Sequence, residues 1–231
     1  TSTLPGLREM TMGRIRDNVQ KILSEIPAGV TVVAAAKARN ALEIEEALDA
    51  GITIFGESYL QESRPVIEAI GSRAVWHFIG HVQKNKVKHV VPLFDMIQTI
   101  DSLELAVMVD QHAARNGKVM PVLIEVNSGR EENKHGAMPE AVEALIRQIC
   151  ALPNLRVQGL MTMGPFLDDY TGLRPYFRET RTLFEELRSL SIPNVSMETL
   201  SMGMSDSFRI AVEEGATMVR IGTMIFGERP Y

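Results

Sequence analysis

Apolar positions along the chain follow two rhythms in turn. Short β-branched or apolar runs recur, and each is followed by a longer stretch whose apolar residues come three and four apart, the spacing of a helix with one buried face. Eight runs have this form: TVVAAAK (31–37), ITIFGE (52–57), VWHFIG (75–80), FDMIQTI (94–100), VMPVLIEVN (119–127), LRVQGLM (155–161), METLSM (197–202) and ATMVRIG (216–222). Strand and helix in strict alternation build a parallel sheet covered by helices. Eight such units predict an α/β fold, a single closed (β/α)8 TIM barrel spanning residues 1–231 as one domain. An extra N-terminal helix from about Arg8 to Ile26 is expected to close the bottom or side of the barrel. An open doubly wound sheet uses the same alternation, and the count of eight excludes it only if FDMIQTI, the least strand-like run, is real. No GxGxxG turn follows any of the runs, so the usual dinucleotide signature of an open sheet is missing.

Helix boundaries carry their own signals. Asn40 with Glu43 reads as a capping box, and Gly51 supplies the left-handed stop of that helix. Asp101 with Glu104 repeats the pattern, Pro139 suits a first helical turn, and Gly117 and Gly215 end other helices.

Composition narrows the function classes. With 24 basic against 29 acidic residues interleaved, there is no single-sign stripe to grip nucleic acid or an anionic membrane. The basic run KNKVKHV (84–90) reads as a solvated helix face. The lone Cys150 has no partner for an internal disulfide, which fits a cytoplasmic protein, and no apolar stretch reaches the length of a membrane span.

In a βα barrel the chemistry sits where strands run out at their C-terminal ends. The polar residues there are Lys37 after strand one, Glu57 and Ser58 after two, His77 and His81 around the end of three, Asp101 after four and Asn127 after five. Thr162 follows strand six, Ser201 and Ser205 flank the end of seven, and Arg220 and Thr223 bracket the end of eight. Lys37 is a single ammonium behind a small apolar run, where burial favours the free amine that attacks an aldehyde. A lysine reaching from a strand end to water fits the same pattern. The ends of strands seven and eight, LSMGMSDSF and RIGTMIFG, combine glycines with hydroxyls, as a phosphate site does, through Ser201, Gly203, Ser205, Gly222 and Thr223. Ser205 as an ordinary helix cap is the competing reading. Arg220, inside an apolar strand, needs an acceptor, either a carboxylate or a ring nitrogen. His77 and His81 lack the accompanying ligands of a metal centre, and no metal is expected.

The stretch WHFIGHVQKNKVKHV (76–90) resembles the signature of the pyridoxal phosphate homeostasis protein family, whose barrel is like the N-terminal domain of alanine racemase. AAAK (34–37), FGESYLQE (55–62), GLMTM (159–163), LSMGMSDSF (200–208) and VRIGTMIFGER (219–229) look like further family blocks in family order. The resemblance implies pyridoxal 5′-phosphate held as a Schiff base on Lys37. It also implies a phosphate bound by Ser201, Ser205, Gly222 and Thr223 with the neighbouring backbone of Met202 and Gly203. Arg220 would face the pyridine nitrogen, with Ser58 and His77 near the ring. Ser58 and Ala36 stand where the family usually has Asn and Ser, and the loop NSGREENKHG differs in its glycines.

The expected function is a monomeric carrier in vitamin B6 homeostasis that hands cofactor to pyridoxal phosphate-dependent apo-enzymes. A pyridoxal phosphate-dependent amino-acid racemase is the alternative; it needs a second base opposite Lys37, and the sequence runs out at Tyr231, directly after the barrel. Tyr59 and His77 are the remaining candidates for that base. An aldolase-like enzyme, using Lys37 without the cofactor, is a third reading.

Overall fold

The structure is a computed structural model that describes residues 5–228, with side chains from residue 13 onward. Arg229 and the terminal Tyr231 lie outside the described residues. Helix α1 (Pro5–Glu25) leads into β1 (Thr31–Ala35), and strand and helix then alternate. They run α2 (Ala41–Asp49), β2 (Ile54–Glu57), α3 (Leu60–Ile70), β3 (Val75–Phe78), α4 (Val87–Leu93), β4 (Met96–Ile100) and α5 (Leu103–Arg115). The second half continues with β5 (Met120–Glu125), α6 (Val142–Ile149), β6 (Leu155–Met161), α7 (Arg174–Ser189), β7 (Val195–Ser201), α8 (Phe208–Glu213), β8 (Met218–Ile221) and α9 (Thr223–Phe226). The strands are parallel and close in sequence order, β8 meeting β1 through Thr31↔Met218 to Ala34↔Ile221. FDMIQTI does supply a strand, and all five residues of β4 are buried.

Side chains on a strand alternate between the two faces of the sheet, so a closed barrel has two interiors. The outer one lies between strands and helices, where Phe55, Phe94, Ile97, Ile146, Phe177 and Phe184 are among the fully buried residues. Each large side chain buried there contributes about 1.5–3 kcal/mol. The inner one begins with a small cluster of Met96, Leu123 and Met161. Above it, toward the C-terminal ends, the buried side chains become polar: His77, Gln98, Ser201, Arg220 and Glu125.

Helix α1 packs on the side of the barrel against α2 and α9. Its Asn18 Nδ2 donates to Ile225 O at 2.9 Å, and the Arg16 amide donates to Glu46 Oε1 at 3.1 Å. The Asn40–Glu43 capping box forms at the start of α2. The second expected box does not. Ser102 caps α5 by accepting from the Leu105 amide at 3.4 Å, and Glu104 turns outward to Lys84. Pro139 opens a 3-10 turn that leads into α6. No described helix is long and apolar enough to cross a membrane.

Candidate functional site

Strand β1 stops at Ala35, two residues short of the expected end, so Lys37 lies in the turn that follows. Ala38 takes φ 60°, a left-handed conformation that bends the chain sharply at the barrel mouth. Lys37 is half-buried; its Nζ donates to the Tyr59 hydroxyl at 2.9 Å and lies 4.3 Å from the centre of the Tyr59 ring. The amine is thereby directed at the mouth by β2's following loop.

On the adjoining strand β8, Arg220 is 3% exposed. Its Nη1 donates to Ser201 Oγ at 2.6 Å and its Nη2 to Thr162 O at 2.9 Å, with Met163 Sδ at 3.3 Å. Burial lowers its pKa to about 10, which the charge of Glu125 opposes, so the guanidinium keeps its proton at neutral pH. A guanidinium has five N–H donors, so some remain for a ligand.

Ser201 accepts from Arg220 and passes its own hydrogen to Gln98 Oε1 at 2.7 Å. Gln98 Nε2 then lies 2.9 Å from His77 Nδ1. An amide nitrogen only donates, so Nδ1 accepts and the imidazole carries its hydrogen on Nε2. Burial pushes the His77 pKa down to about 4, which keeps the ring neutral. Arg220, Ser201, Gln98 and His77 form one directed row of hydrogen bonds through β8, β7, β4 and β3.

Two acids at the strand ends have the opposite environment. Glu57 is 2% exposed and its Oε2 has no partner among the described residues; burial, followed by the charge of Glu62, pushes its pKa up to about 8 against the pull of the Ser58 amide. Glu125 Oε2 is also buried without a partner, and burial together with Asp101 raises that group to about 7, while Arg220 pulls it down. The mouth therefore carries much less negative charge at neutral pH than its carboxyl count suggests.

Ser205 is a clasp for the turn after β8 and the start of α9, and it does not cap α8. Its Oγ accepts from the Gly222 amide at 3.2 Å and the Met224 amide at 3.4 Å, while Ser207 occupies the cap position of α8. Gly203 takes φ +91°, and a Cβ there would meet Ala211 Cβ at 2.5 Å. Gly222 is less confined, since its Cβ would find Ala35 at 3.4 Å. Thr223 is exposed beside it. Two expected phosphate contacts point elsewhere. Ser201 is fully buried and commits its hydroxyl to Arg220 and Gln98, and Met202 has its side chain in the outer core and its amide on Met218 O at 3.1 Å.

Ser58 is half-buried and lines a cavity of about 500 Å3 with Tyr59, Phe78, Gly80 and His81. Gly80 makes this closeness possible, because a Cβ there would meet Ser58 O at 2.5 Å. Asn127 fixes the loop after β5, its Oδ1 accepting from the Glu131 amide at 3.1 Å and its Nδ2 donating to Glu131 O at 2.9 Å. Thr162 Oγ1 donates to Val126 O at 2.9 Å and joins Ser128 at 2.9 Å. His81 stacks on His135 with Asp101 beside both, and partial burial and His135 hold His81 below the usual histidine range while Asp101 opposes them. Gln98, Glu125 and His135 are absent from the sequence-based set. Gln98 had a signal, a carboxamide inside an otherwise apolar strand.

A closed parallel barrel with a lysine in the turn after β1 and a buried arginine on the adjoining β8 defines the class. The family described as "Alanine racemase, N-terminal domain" matches residues 10–230. An alanine racemase of Clostridium difficile superposes with TM-score 0.77 at 16% identity, covering 95% of this chain and 58% of that one, a likeness of fold alone. The narrower match is to proteins named pyridoxal phosphate homeostasis protein. One from Aquifex aeolicus is 40% identical over 224 residues, covering 95% of this chain and 97% of the relative, and one from Homo sapiens is 41% identical over 231 residues, covering 94% and 84%. PipY of Synechococcus elongatus, in its structure with PLP bound, superposes with TM-score 0.85 at 31% identity, covering 92% of this chain and 100% of that one. The chain belongs to the pyridoxal phosphate homeostasis protein family.

Proposed function

We propose that this chain binds pyridoxal 5′-phosphate at Lys37 and serves vitamin B6 homeostasis as a carrier that does not turn over a substrate. The observation that carries this reading is the pairing of the Lys37 amine, held on the Tyr59 hydroxyl, with a buried, protonated Arg220. The donor set fits the group. At neutral pH Glu57, raised to about 8, is largely protonated and Glu125, raised to about 7, is about half protonated, so the pair repels an anion less than two fully ionised carboxylates would. When bound, the cofactor supplies an aldehyde that an amine joins reversibly.

Lys37 supplies the amine, and Tyr59 orients it. The Ser205 hydroxyl accepts two amides and keeps its hydrogen for a phosphate oxygen; Thr223 and the bare backbone at Gly203 and Gly222 add to that cradle. Ser201 acts through Arg220, fixing the guanidinium beside the ring nitrogen, and the Met202 amide contributes to the barrel ladder. His77 is three hydrogen bonds from Arg220 and contributes by holding Gln98 in place. Ser58 borders the rim. Arg220 donates a hydrogen bond and does not hand over its proton, which limits the electron withdrawal that racemisation needs. We place the protein as a cytoplasmic monomer that passes the cofactor to apo-enzymes.

The test is a visible spectrum of protein mixed with pyridoxal 5′-phosphate, followed by borohydride reduction and peptide mapping. The mass increment is expected on Lys37 and is lost in Lys37→Ala. A mixture whose spectrum stays that of free pyridoxal 5′-phosphate, with Lys37 unmodified, removes the reading. Solvent-deuterium exchange at the α-carbon of alanine or serine at enzyme-like rates would replace the carrier by a racemase.

A further inference from the structure

On the rim formed by β3, β4 and β5, three side chains from three different loops converge. His81 follows β3, Asp101 follows β4, and His135 belongs to the long loop between β5 and α6. The two imidazoles stack with centroids 3.5 Å apart and planes inclined by 10°. Each turns its Nδ1 toward the same oxygen, Asp101 Oδ2, at 4.0 Å. Taken together, one donor atom from each residue lies within 4.8 Å of the others. A separation of 4.0 Å exceeds a hydrogen bond, so the carboxylate is not engaged by either ring.

Two imidazole nitrogens and one carboxylate oxygen are the donor set of a borderline divalent ion. We infer that His81, Asp101 and His135 bind one divalent transition-metal ion of the zinc class, with the fourth position open to water. A tetrahedral ion at about 2.0–2.1 Å from its ligands asks for donors roughly 3.3 Å apart. Each histidine nitrogen must therefore close on Asp101 by about 0.7 Å and the donors on one another by up to about 1.5 Å, and the stacked rings must rotate so that their parallel lone pairs converge. The histidines have the freedom to do so, with side chains 38% and 57% exposed, while Asp101, at 17%, is the fixed member. The expectation of no metal rests on His77 and His81, which have no accompanying ligands along the sequence; Asp101 and His135 reach His81 only in the fold. An ion here would tie the loops after β3, β4 and β5 into one unit. The site is independent of Lys37 and stands or falls separately from cofactor binding.

The experiment uses the full chain, dialysed against chelator and free of cofactor, titrated with zinc chloride by calorimetry and with cobalt(II) by visible absorption. One ion per chain is expected, with affinity at least about tenfold weaker in each of His81→Ala, Asp101→Asn and His135→Ala. His89→Ala, an exposed histidine outside the cluster, should bind as the wild type does. Wild-type imidazole NMR needs no variant: the His81 and His135 ring signals should shift together as zinc is added. Absence of saturable binding, wild-type affinity in all three variants, or zinc shifts confined to other histidines would overturn the inference.

Discussion

Glu57→Gln should convert a pH-dependent stability into a flat one. Folded, the Glu57 carboxyl titrates at about 8 instead of an ordinary 4.5, because burial removes its hydration and Glu62 lies nearby. Between those pH values the folded chain keeps a proton that the unfolded chain releases. Stability from this group is thus complete below the unfolded value and is lost as pH rises toward the folded one. At about 1.4 kcal/mol per pH unit the loss approaches about 5 kcal/mol, an upper bound because buried sites relax and admit water. Glutamine has nearly the shape of the protonated acid and no proton to lose. Urea unfolding of both cofactor-free proteins, followed by far-UV circular dichroism at about pH 5, 6, 7 and 8, gives the difference directly. Titration of His77 and Glu125 occurs in both proteins and largely cancels. The difference should move in favour of the variant throughout pH 5 to 8, reaching roughly 3 kcal/mol at about pH 7 relative to the fully protonated state. A constant offset reflects the amide; the slope carries the reasoning. A difference that stays level to within about 0.5 kcal/mol from pH 5 to 8 would refute it.

Ser201→Ala leaves an Arg220 donor and the Gln98 carbonyl unpaired inside the barrel, and should cost about 1–3 kcal/mol in urea unfolding. The loss should far exceed that of an exposed serine such as Ser24. Gly203→Ala combines a left-handed backbone with a 2.5 Å clash and should cost about 2–4 kcal/mol in thermal or urea melts. Gly222→Ala meets only ordinary contact at 3.4 Å and should fold within about 1 kcal/mol of wild type, yet bind pyridoxal 5′-phosphate more weakly in a spectroscopic titration. Unchanged cofactor affinity would place the phosphate elsewhere.

The barrel was legible because a strand buried on its outer face and a helix buried on its inner one each leave a distinct periodicity. Even β4, with all five residues buried, kept the β-branched and apolar character of a strand. Lys37 and Arg220 stood out as charges in apolar runs. What the chain order hides is which partner wins when a side chain has two. The Ser205 hydroxyl suits a helix cap one turn away or a clasp on the distant Gly222, and the closed barrel brings the second within reach. Ser201 likewise reads as a phosphate donor until Arg220 and Gln98 claim both its lone pair and its hydrogen. His135 sits in a loop without periodicity, and only the fold brings it onto His81.

The Gln98 carboxamide has a consequence for proton traffic. A hydroxyl or a carboxyl between two groups can take a proton on one side and release one on the other; a carboxamide at neutral pH does neither. Gln98 therefore transmits orientation from Arg220 and Ser201 to His77 while acting as an electrical insulator between them. The neutral imidazole of His77, already a weak base through its burial, has no conducting path through this row to Arg220.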